Sequence, residues 1–299
     1  MSSRTGSSNR TESSNRTESS AGIEIPGKPA EQEYSGGTGS SVGMGPQNQA
    51  EREKFESELR RVIAASNKTG IMLRVIGSLA FQMHSQKYGY LQAVMGRAYT
   101  DIDFAAYRKQ NREIKALMAG LGYIDNPEVY IVSEGNRSIF DNPQIHLHID
   151  VFYDKLDFCH VISWENRLDV DAPTIPLAEL LLEKMQIVQI NEKDIIDTIM
   201  LLLEHPLGDK DKEIINIARV AQLCGKDWGL WRTTSMNLNK VKILAQDYPQ
   251  LNTAEKAQVT AQVDKALARL EAEPKSTAWR LRARVGDRVK WYKEVDEVG

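Results

Sequence analysis

Three aspartates with a distinctive spacing are the residues of this chain best suited to chemistry. Asp101 and Asp103 flank Ile102 in the run TDIDF, which has the apolar pattern of a strand. Residues two apart in a strand project from the same face, so the two carboxylates would point the same way. Like charges that close raise one another's pKa unless a cation neutralises them, and carboxylate oxygens are ligands that Mg²⁺ prefers. An exposed strand end with two solvated acids is the alternative.

A third acid, Asp150, lies near the end of a second strand-like run, IHLHIDVF. The period-two alternation predicts one face with Leu147, Ile149 and Val151, and an opposite face with His146, His148 and Asp150. A carboxylate there, beside Asp101 and Asp103, would complete a two-metal site in which cations hold the attacking and leaving oxygens. An ordinary edge-strand acid is the alternative for Asp150.

A Gly-Ser turn, Gly77-Ser78, follows the apolar run Ile71–Ile76 at a point where a helix can start. Glycine allows a sharp turn and close approach of a ligand, and the free N–H groups of a helix start favour phosphate oxygens. Ser78 would then be both helix cap and phosphate donor. A turn without function is the alternative.

Lys184 lies in the Leu-rich run that begins after Pro176. The helical spacing of the apolar residues leaves Lys184 near the margin of the apolar stripe, where its ammonium group could reach a triphosphate as a point charge. A lysine that only lays its aliphatic stem along the stripe is the alternative.

Together these motifs resemble the nucleotidyltransferase fold superfamily, and within it most closely the branch of AbiEii-type toxin nucleotidyltransferases and uncharacterised proteins like them. The superfamily pattern is Gly-Ser or Gly-Gly on a strand-to-helix turn, then Asp-x-Asp, then a third carboxylate on a later strand. The matched branch features are Arg97-x-x-Thr100-Asp101-Ile-Asp103, Lys184 on a Leu-rich helix, and Lys193-Asp194-Ile-Ile-Asp197 opening the next helix. The resemblance covers residues 71–205.

The resemblance implies an α+β fold, a mixed sheet flanked by helices and followed by a helical C-terminal region. It also implies Mg²⁺-dependent transfer of a nucleoside monophosphate from an NTP to an acceptor, with release of pyrophosphate. Asp101 and Asp103 would hold two Mg²⁺ ions, and Asp150 would bind the metal nearest the nucleophile and could accept its proton.

Nucleotide contacts are implied for five further residues: Gly77, Ser78, Arg97, Lys184 and Asp194. Gly77 and Ser78 would bind the β and γ phosphates, while Lys184, and to a lesser degree Arg97, would offset the charge of the departing pyrophosphate. Asp194 would lie near the nucleotide. As the third residue after the predicted helix cap Asn191, it is equally well explained as a helix-start acid.

The gap between Gly77-Ser78 and Asp101 is longer than the usual dozen or so residues of the superfamily. Either the helix after Ser78 is extended, or an inserted loop around Gly89 and Gly96 caps the site.

The sequence leaves several alternatives for the acceptor, and it leaves open whether the protein catalyses transfer at all. A toxin would modify tRNA or a protein and pair with an antitoxin, whereas a resistance enzyme would modify an aminoglycoside. A nucleotide-binding protein of the same fold without turnover is the alternative outside catalysis. The segment from Lys275 to Lys293 carries seven basic residues with Trp279, Trp291 and Tyr292 interleaved, which suits phosphate contact and base stacking, or else a solvated basic helix.

Composition predicts a cytoplasmic protein without a membrane segment. The chain has 299 residues, a formal net charge of −3 and two cysteines, too few for a disulfide framework. No apolar run is long enough to span a bilayer, and the N-terminus lacks an apolar signal core.

The order of elements predicts three regions. Residues 1–48 are rich in Ser, Gly, Thr, Asn and Glu and are expected to be disordered. Residues 50–205 would form the nucleotidyltransferase core, and 206–299 a helical C-terminal domain with the basic tail. Within the core, helices are expected at 50–66, 79–88 and 112–121, strands at 71–76, 101–107, 130–133, 137–140 and 145–152, and irregular structure at 154–176.

Overall fold

The computed structural model describes residues 46–295, in which helices and strands alternate before the chain becomes almost wholly helical. The low-complexity segment predicted for residues 1–48 lies outside the described residues except at its end. Residues 46–48 belong to the first helix, α1 (Pro46–Thr69), which starts and ends a few residues beyond the predicted range.

The described elements are as follows. The strands are β1 (Leu73–Ile76), β2 (Ile102–Ala106), β3 (Ile124–Asn126), β4 (Arg137–Asn142), β5 (Leu147–Tyr153), β6 (Lys155–Asp157), β7 (Val161–Ser163), β8 (Leu207–Gly208) and β9 (Ile215–Asn216). The helices after α1 are α2 (Gly77–His84), α3 (Tyr90–Val94), α4 (Asn111–Gly120), α5 (Pro127–Val132), α6 (Leu177–Met185), α7 (Glu192–Glu204), α8 (Ile217–Lys226), α9 (Trp228–Leu244), α10 (Thr253–Ala272) and α11 (Thr277–Val285).

A five-stranded mixed sheet lies at the centre of the α+β part, in the order β1-β2-β5-β4-β3. β2 and β5 are parallel, and the other neighbours are antiparallel. In the register of the parallel pair Asp103 lies opposite Asp150, and across the β1–β2 pair Ile76 lies opposite Asp103. The predicted α+β fold with a mixed sheet and a helical C-terminal region is therefore confirmed.

Alternation along β2 and β5 separates an apolar face from a polar one. Ile102, Phe104, Ile149 and Val151 are fully buried on one face. Asp103 and Asp150, one residue out of phase, share the other. His146, expected on that polar face, instead lies in the turn before β5 with a positive φ of 49°.

The C-terminal helices pack directly onto the end of α7. Side chains of α10 donate hydrogen bonds to the carbonyl oxygens that a helix end leaves unpaired. Gln258 donates to Leu203 at 2.9 Å, Gln262 to His205 at 3.1 Å, and Lys265 to Leu207 at 2.8 Å. α10 therefore fixes the position of α7, whose first turn borders the site described below.

Three predicted elements are wrong. The strand expected at 130–133 is the end of helix α5, because Pro127 at the first helical position favours a helix start. The helix expected at 79–88 ends at His84 and is followed by α3. The segment 154–176 contains a hairpin of β6 and β7, whose three-residue strands are too short to give a periodic signal.

Both cysteines are free thiols, Cys224 buried and Cys159 partly buried. The described part of the chain also has no helix with the length and apolar character that a membrane crossing requires.

A buried ion network ties α6 to the loop before it. Glu179 is fully buried and accepts two hydrogen bonds from Arg167, at 2.6 and 2.9 Å. Arg167 also contacts Asp211 at 2.7 Å, and Arg219 reaches Glu179 at 3.4 Å. Removing one partner of such a buried pair leaves an uncompensated charge in the interior.

Replacing Glu179 with Ala is expected to lower the free energy of unfolding by about 3–5 kcal/mol, because Arg167 would remain buried without its main partner. Glu273→Ala on α10, which removes the partly exposed partner of Arg269, is the control and is expected to cost about 1 kcal/mol or less. Urea denaturation followed by circular dichroism measures both. Equal losses in the two variants would contradict the assigned role of the network.

Candidate active site

A cavity of about 280 Å³ opens where β1 ends and α2 begins. All of the site residues predicted from the sequence line it, namely Gly77, Ser78, Arg97, Asp101, Asp103, Asp150, Lys184 and Asp194. The sheet and the helices α6 and α7 thus bring together residues that are more than a hundred positions apart in the chain.

The three aspartates meet at one wall of the cavity, as the spacing predicted. Asp101, His148 and Asp150 offer ligand atoms that lie within 4.8 Å of one another. The nearest ring nitrogen of His148 lies 4.0 Å from Asp101 Oδ2. Asp103 lies beside this group, opposite Asp150 in the register of β2 and β5. Oxygen ligands with one imidazole form a donor set that suits a divalent cation.

The carboxylate of Asp103 is partly buried among acids that repel its negative charge. Burial, and then the negative charges of Asp101, Asp150 and Glu183, raise its pKa well above the usual range, and Lys184 opposes them only in part. Among residues 46–295 its carboxylate accepts no hydrogen bond and has no cation within 4 Å. A bound cation would relieve this repulsion.

The Gly77 turn is shaped around Asp103. Gly77 has a positive φ of 67°, which glycine adopts without strain. A Cβ atom added there would lie 2.3 Å from Asp103 Oδ2, closer than any side chain permits. The glycine therefore serves the close approach of the backbone to Asp103 as well as the turn into α2.

The N-terminus of α2 already binds the carboxylate of Glu183. The Gly77 N–H donates to Glu183 Oε2 at 3.1 Å, so this donor is not open to a phosphate, contrary to the expectation for Gly77. Burial raises the pKa of Glu183. Ser78 is nearly buried, and its carbonyl accepts a hydrogen bond from Gln92. Phosphate contact at this helix start would fall to Ser78 and the N–H groups after it.

Lys184 is buried, not at the margin of the stripe as predicted. Its Nζ lies 3.3 Å from Glu183, 3.2 Å from Asp194 and 3.6 Å from Asp197. Burial alone would lower the pKa of Lys184, but these carboxylates outweigh it and raise the pKa. The lysine is therefore charged, and its charge is balanced by its neighbours.

Asp194 is both a helix-start acid and a residue of the cavity wall, the two alternatives that the sequence left open. Its side chain closes a capping box with Asn191 at the start of α7, and it also pairs with Lys184 on the cavity wall. Asp194, itself held by the capping box, thus fixes the Lys184 ammonium group in place.

The segment between Ser78 and Asp101 is not one extended helix. α2 ends at His84, and the short helix α3 and a turn at Gly96 follow. Arg97 lies on the cavity wall, where it pairs with fully buried Asp197 at 3.5 Å. The structure therefore rules out the extended helix that was one of the two sequence alternatives.

Arg137 and Lys193 are cavity residues that the sequence interpretation missed. Arg137, the first residue of β4, donates to both oxygens of Asp150, at 3.0 and 2.8 Å. The pairing of β4 with β5 brings it there, and no local motif marks it. Lys193 lies exposed at the rim and has no ion-pair partner among the described residues. Its position directly before Asp194, in the motif Lys193-Asp194-Ile-Ile-Asp197, could have identified it as a residue of the cavity.

Replacing Asp103 with Asn is expected to stabilise the metal-free protein at neutral pH. Because the folded pKa is raised, the folded protein binds more protons than the unfolded one between the unfolded value of about 3.9 and the folded value. Wild-type stability therefore falls as the pH rises through that interval, and the Asn variant escapes this loss. Thermal unfolding from acid to neutral pH measures it, with about 2–4 °C expected per kcal/mol of relieved repulsion. A lower midpoint than wild type at neutral pH would contradict the strain assigned to Asp103.

Replacing Gly77 with Ala is expected to destabilise the fold more than Gly96→Ala. Both glycines have a similar positive φ, but a Cβ at Gly96 would meet nothing within 4 Å. Gly96→Ala should therefore show only the backbone penalty of about 1–2 kcal/mol. In an Asp103→Ala background, the excess cost at Gly77 should fall in denaturant titrations, since the clash with Oδ2 is gone and only the Cβ contact at 3.3 Å remains. An undiminished excess would show that the glycine does not serve Asp103.

Comparison of the chain with protein-family models, with curated proteins and with solved structures finds no match. The function proposed for this protein therefore rests on the residues of the cavity and on their geometry.

Proposed function

We propose that this protein is a Mg²⁺-dependent nucleotidyltransferase that moves a nucleoside monophosphate from an NTP to an acceptor hydroxyl or phosphate and releases pyrophosphate. The single observation that carries the proposal is the convergence of Asp101, Asp103 and Asp150, from two parallel strands, opposite the Gly77 turn. The same arrangement of motifs underlies the resemblance to the nucleotidyltransferase superfamily.

The three carboxylates of the donor set fit a hard divalent cation. Asp103 is a partly buried carboxylate under repulsion, and Asp101, His148 and Asp150 group their ligand atoms beside it. Arg137 occupies two lone-pair positions of Asp150, and a carboxylate has about four. Asp101, Asp103 and Asp150 would hold the cations, whose chemistry when bound is to neutralise phosphate charge and to lower the pKa of an attacking oxygen.

The charge balance of the cavity also indicates that divalent cations are needed for nucleotide binding. The fixed cations Lys184, Arg97 and Arg137 are each paired with carboxylates of the protein. A triphosphate entering this cavity would therefore meet little uncompensated positive charge apart from Lys193 at the rim. Nucleotide binding here requires that cations enter with it.

Residues of the chain have distinct roles in this proposal. Ser78 and the start of α2 bind phosphate oxygens, and Lys193 contacts the triphosphate from the rim. Arg137 orients Asp150, which accepts the proton of the acceptor through a free lone pair. Lys184 holds Glu183 and Asp194 in place, and its own charge is already balanced by them.

The acceptor is expected to enter through an adjoining cavity of about 400 Å³. It shares Phe158, Ile187, Asn191 and Asp194 with the first cavity, and Tyr292 and Lys293 of the basic tail line its far side. Lys293 pairs with Asp157 at 3.2 Å, so the Tyr292 ring is the feature of this cavity that suits stacking by a base of a nucleic-acid acceptor such as tRNA. A toxin that acts on RNA in the cytoplasm and is restrained by an antitoxin fits this arrangement.

Much of the basic tail serves packing instead. Trp279 and Trp291 contact Trp231 and Trp228 of α9, with ring centroids 5.2 and 6.2 Å apart. Arg282 lies over the Trp228 ring at 4.7 Å. The surface open to an acceptor is therefore narrower than the tail sequence predicted.

A nucleotide-binding protein without turnover is the second candidate. The observation behind it is the engagement of the Gly77 N–H by Glu183, which removes one donor that would position the phosphates for transfer. Nucleotide and Mg²⁺ would then bind in the cavity without product.

Asp101→Asn and Asp150→Asn are expected to lower transfer by at least about 100-fold, the loss typical when one stabilising group is removed from a catalytic site. Purified protein with Mg²⁺ and each α-labelled NTP is incubated with tRNA, with protein or with an aminoglycoside, and label on the acceptor is counted. Asp209→Asn, an exposed acid outside the cavity, is the control and should match wild type.

Label transfer that is unchanged in both cavity variants, with the fold intact by circular dichroism, would refute the assigned site. Calorimetric binding of NTP without transfer to any acceptor would favour the non-catalytic candidate.

A further inference from the structure

A second polar cavity, of about 410 Å³, lies at the opposite end of α2 from Gly77. His84 ends α2, His205 follows α7, and Glu213 lies in the loop between β8 and β9, and all three line this cavity. The nucleotidyltransferase proposal gives none of these residues a task.

The three side chains present a compact donor set. Each offers one ligand atom, and the three atoms lie within 4.8 Å of one another. The two imidazole rings meet edge to face, with centroids 5.7 Å apart. Two imidazoles and a carboxylate form a ligand set that zinc adopts, with a water in the fourth position.

The hydrogen bonds of His205 leave one nitrogen in need of a cation. Its Nε2 lies 2.8 Å from the carbonyl oxygen of His84, which can only accept, so this nitrogen carries the proton of a neutral ring. Nδ1 then presents a lone pair, yet it faces the Glu213 carbonyl oxygen at 3.3 Å and the Glu213 carboxylate at 3.8 Å. A lone pair among oxygens is unfavourable unless a proton or a metal ion lies between them.

His84 has the outer contact that metal-binding histidines usually show. Its Nε2 lies 2.6 Å from the hydroxyl of Thr174, which is almost fully buried. Donation from Nε2 to this hydroxyl fixes the ring and leaves Nδ1 as the ligand atom. Backbone and hydroxyl partners thus hold both rings in place.

Among the acids that line this cavity, Glu213 is the one whose carboxylate lies within 4.8 Å of ligand atoms of both histidines. Glu204 accepts hydrogen bonds from the backbone N–H groups of Lys87 and Tyr88. The Glu213 side chain is 68 % exposed, so it can close the remaining distance without repacking. Its backbone has a positive φ of 53°, which is uncommon for a non-glycine residue.

We propose that His84, His205 and Glu213 bind a divalent transition-metal ion, Zn²⁺ first among them, with water from the cavity as the fourth ligand. Imidazole ligands favour such a metal over Mg²⁺. The ion would link the end of α2 to the end of α7 and to the loop after it. Because α2 starts at Gly77, the link would hold in place the helix whose other end borders the first cavity.

Zn²⁺ binding is measured by competition with a chromophoric chelator, and Co²⁺ substitution is followed by its visible absorption. Glu213→Gln is expected to weaken Zn²⁺ affinity by at least about tenfold, and Thr174→Val by about 10–100-fold through loss of the contact that orients His84. Glu165→Gln, which removes an exposed acid outside both cavities, should bind as wild type does. Zn²⁺ should also raise the unfolding temperature of wild type, but not that of Glu213→Gln.

Asp101→Asn separates this site from the first cavity, where His148 could also attract zinc. The proposal requires that the Glu213-dependent binding persists in this variant, whether or not the protein transfers nucleotides. Equal affinities of wild type and Glu213→Gln, loss of all Zn²⁺ binding in Asp101→Asn, or no binding to wild type would each overturn it.

Discussion

Repulsion among carboxylates that the sheet forces together is the constraint on which the site depends. The parallel pairing of β2 with β5 sets Asp103 opposite Asp150, and the Gly77 turn closes over the Asp103 carboxylate. Water cannot fully screen charges in this partly buried position, so burial and like charge together raise the pKa of Asp103. The fold holds this arrangement through the burial of the opposite face of both strands.

The surrounding charges neutralise most of the other acids of the cavity. Asp150 is neutralised by Arg137, and Asp194 and Asp197 are neutralised by Lys184 and Arg97. Asp103 has no such partner in residues 46–295, and Asp101 has only the ring nitrogen of His148 at 4.0 Å. A protein that leaves carboxylates uncompensated in this way loses stability there, which is a common property of functional sites.

Local patterns in the sequence predicted four of the five strands of the central sheet, the Gly77 turn and the three aspartates. Alternation in β5 assigned the faces of Ile149 and Asp150, since the side-chain period of a strand does not depend on its partners. The mixed sheet was implied by the resemblance and is confirmed, whereas its strand order comes from the structure alone. The N-cap Asn191 was predicted from the side-chain chemistry of helix starts.

Contacts made by tertiary packing could not be predicted in the same way. Arg137 reaches Asp150 because β4 pairs with β5, and Glu183 reaches the Gly77 N–H across more than a hundred residues. The helical spacing placed Lys184 at the margin of an apolar stripe. The helix that bears it, α6, is in fact buried on all sides, and acids from α7 balance the charge of the lysine. The zinc-type cluster of His84 and His205 has no spacing motif, because its members come from the ends of two separate helices.

The most direct test of the central claim is the anomalous diffraction of Mn²⁺ in crystals grown with a non-hydrolysable NTP analogue. The account predicts Mn²⁺ peaks bonded to the carboxylates of Asp101, Asp103 and Asp150, with the triphosphate between them and Ser78. Nucleotide bound elsewhere on the chain, or a nucleotide in this cavity without any Mn²⁺ on the aspartates, would contradict it.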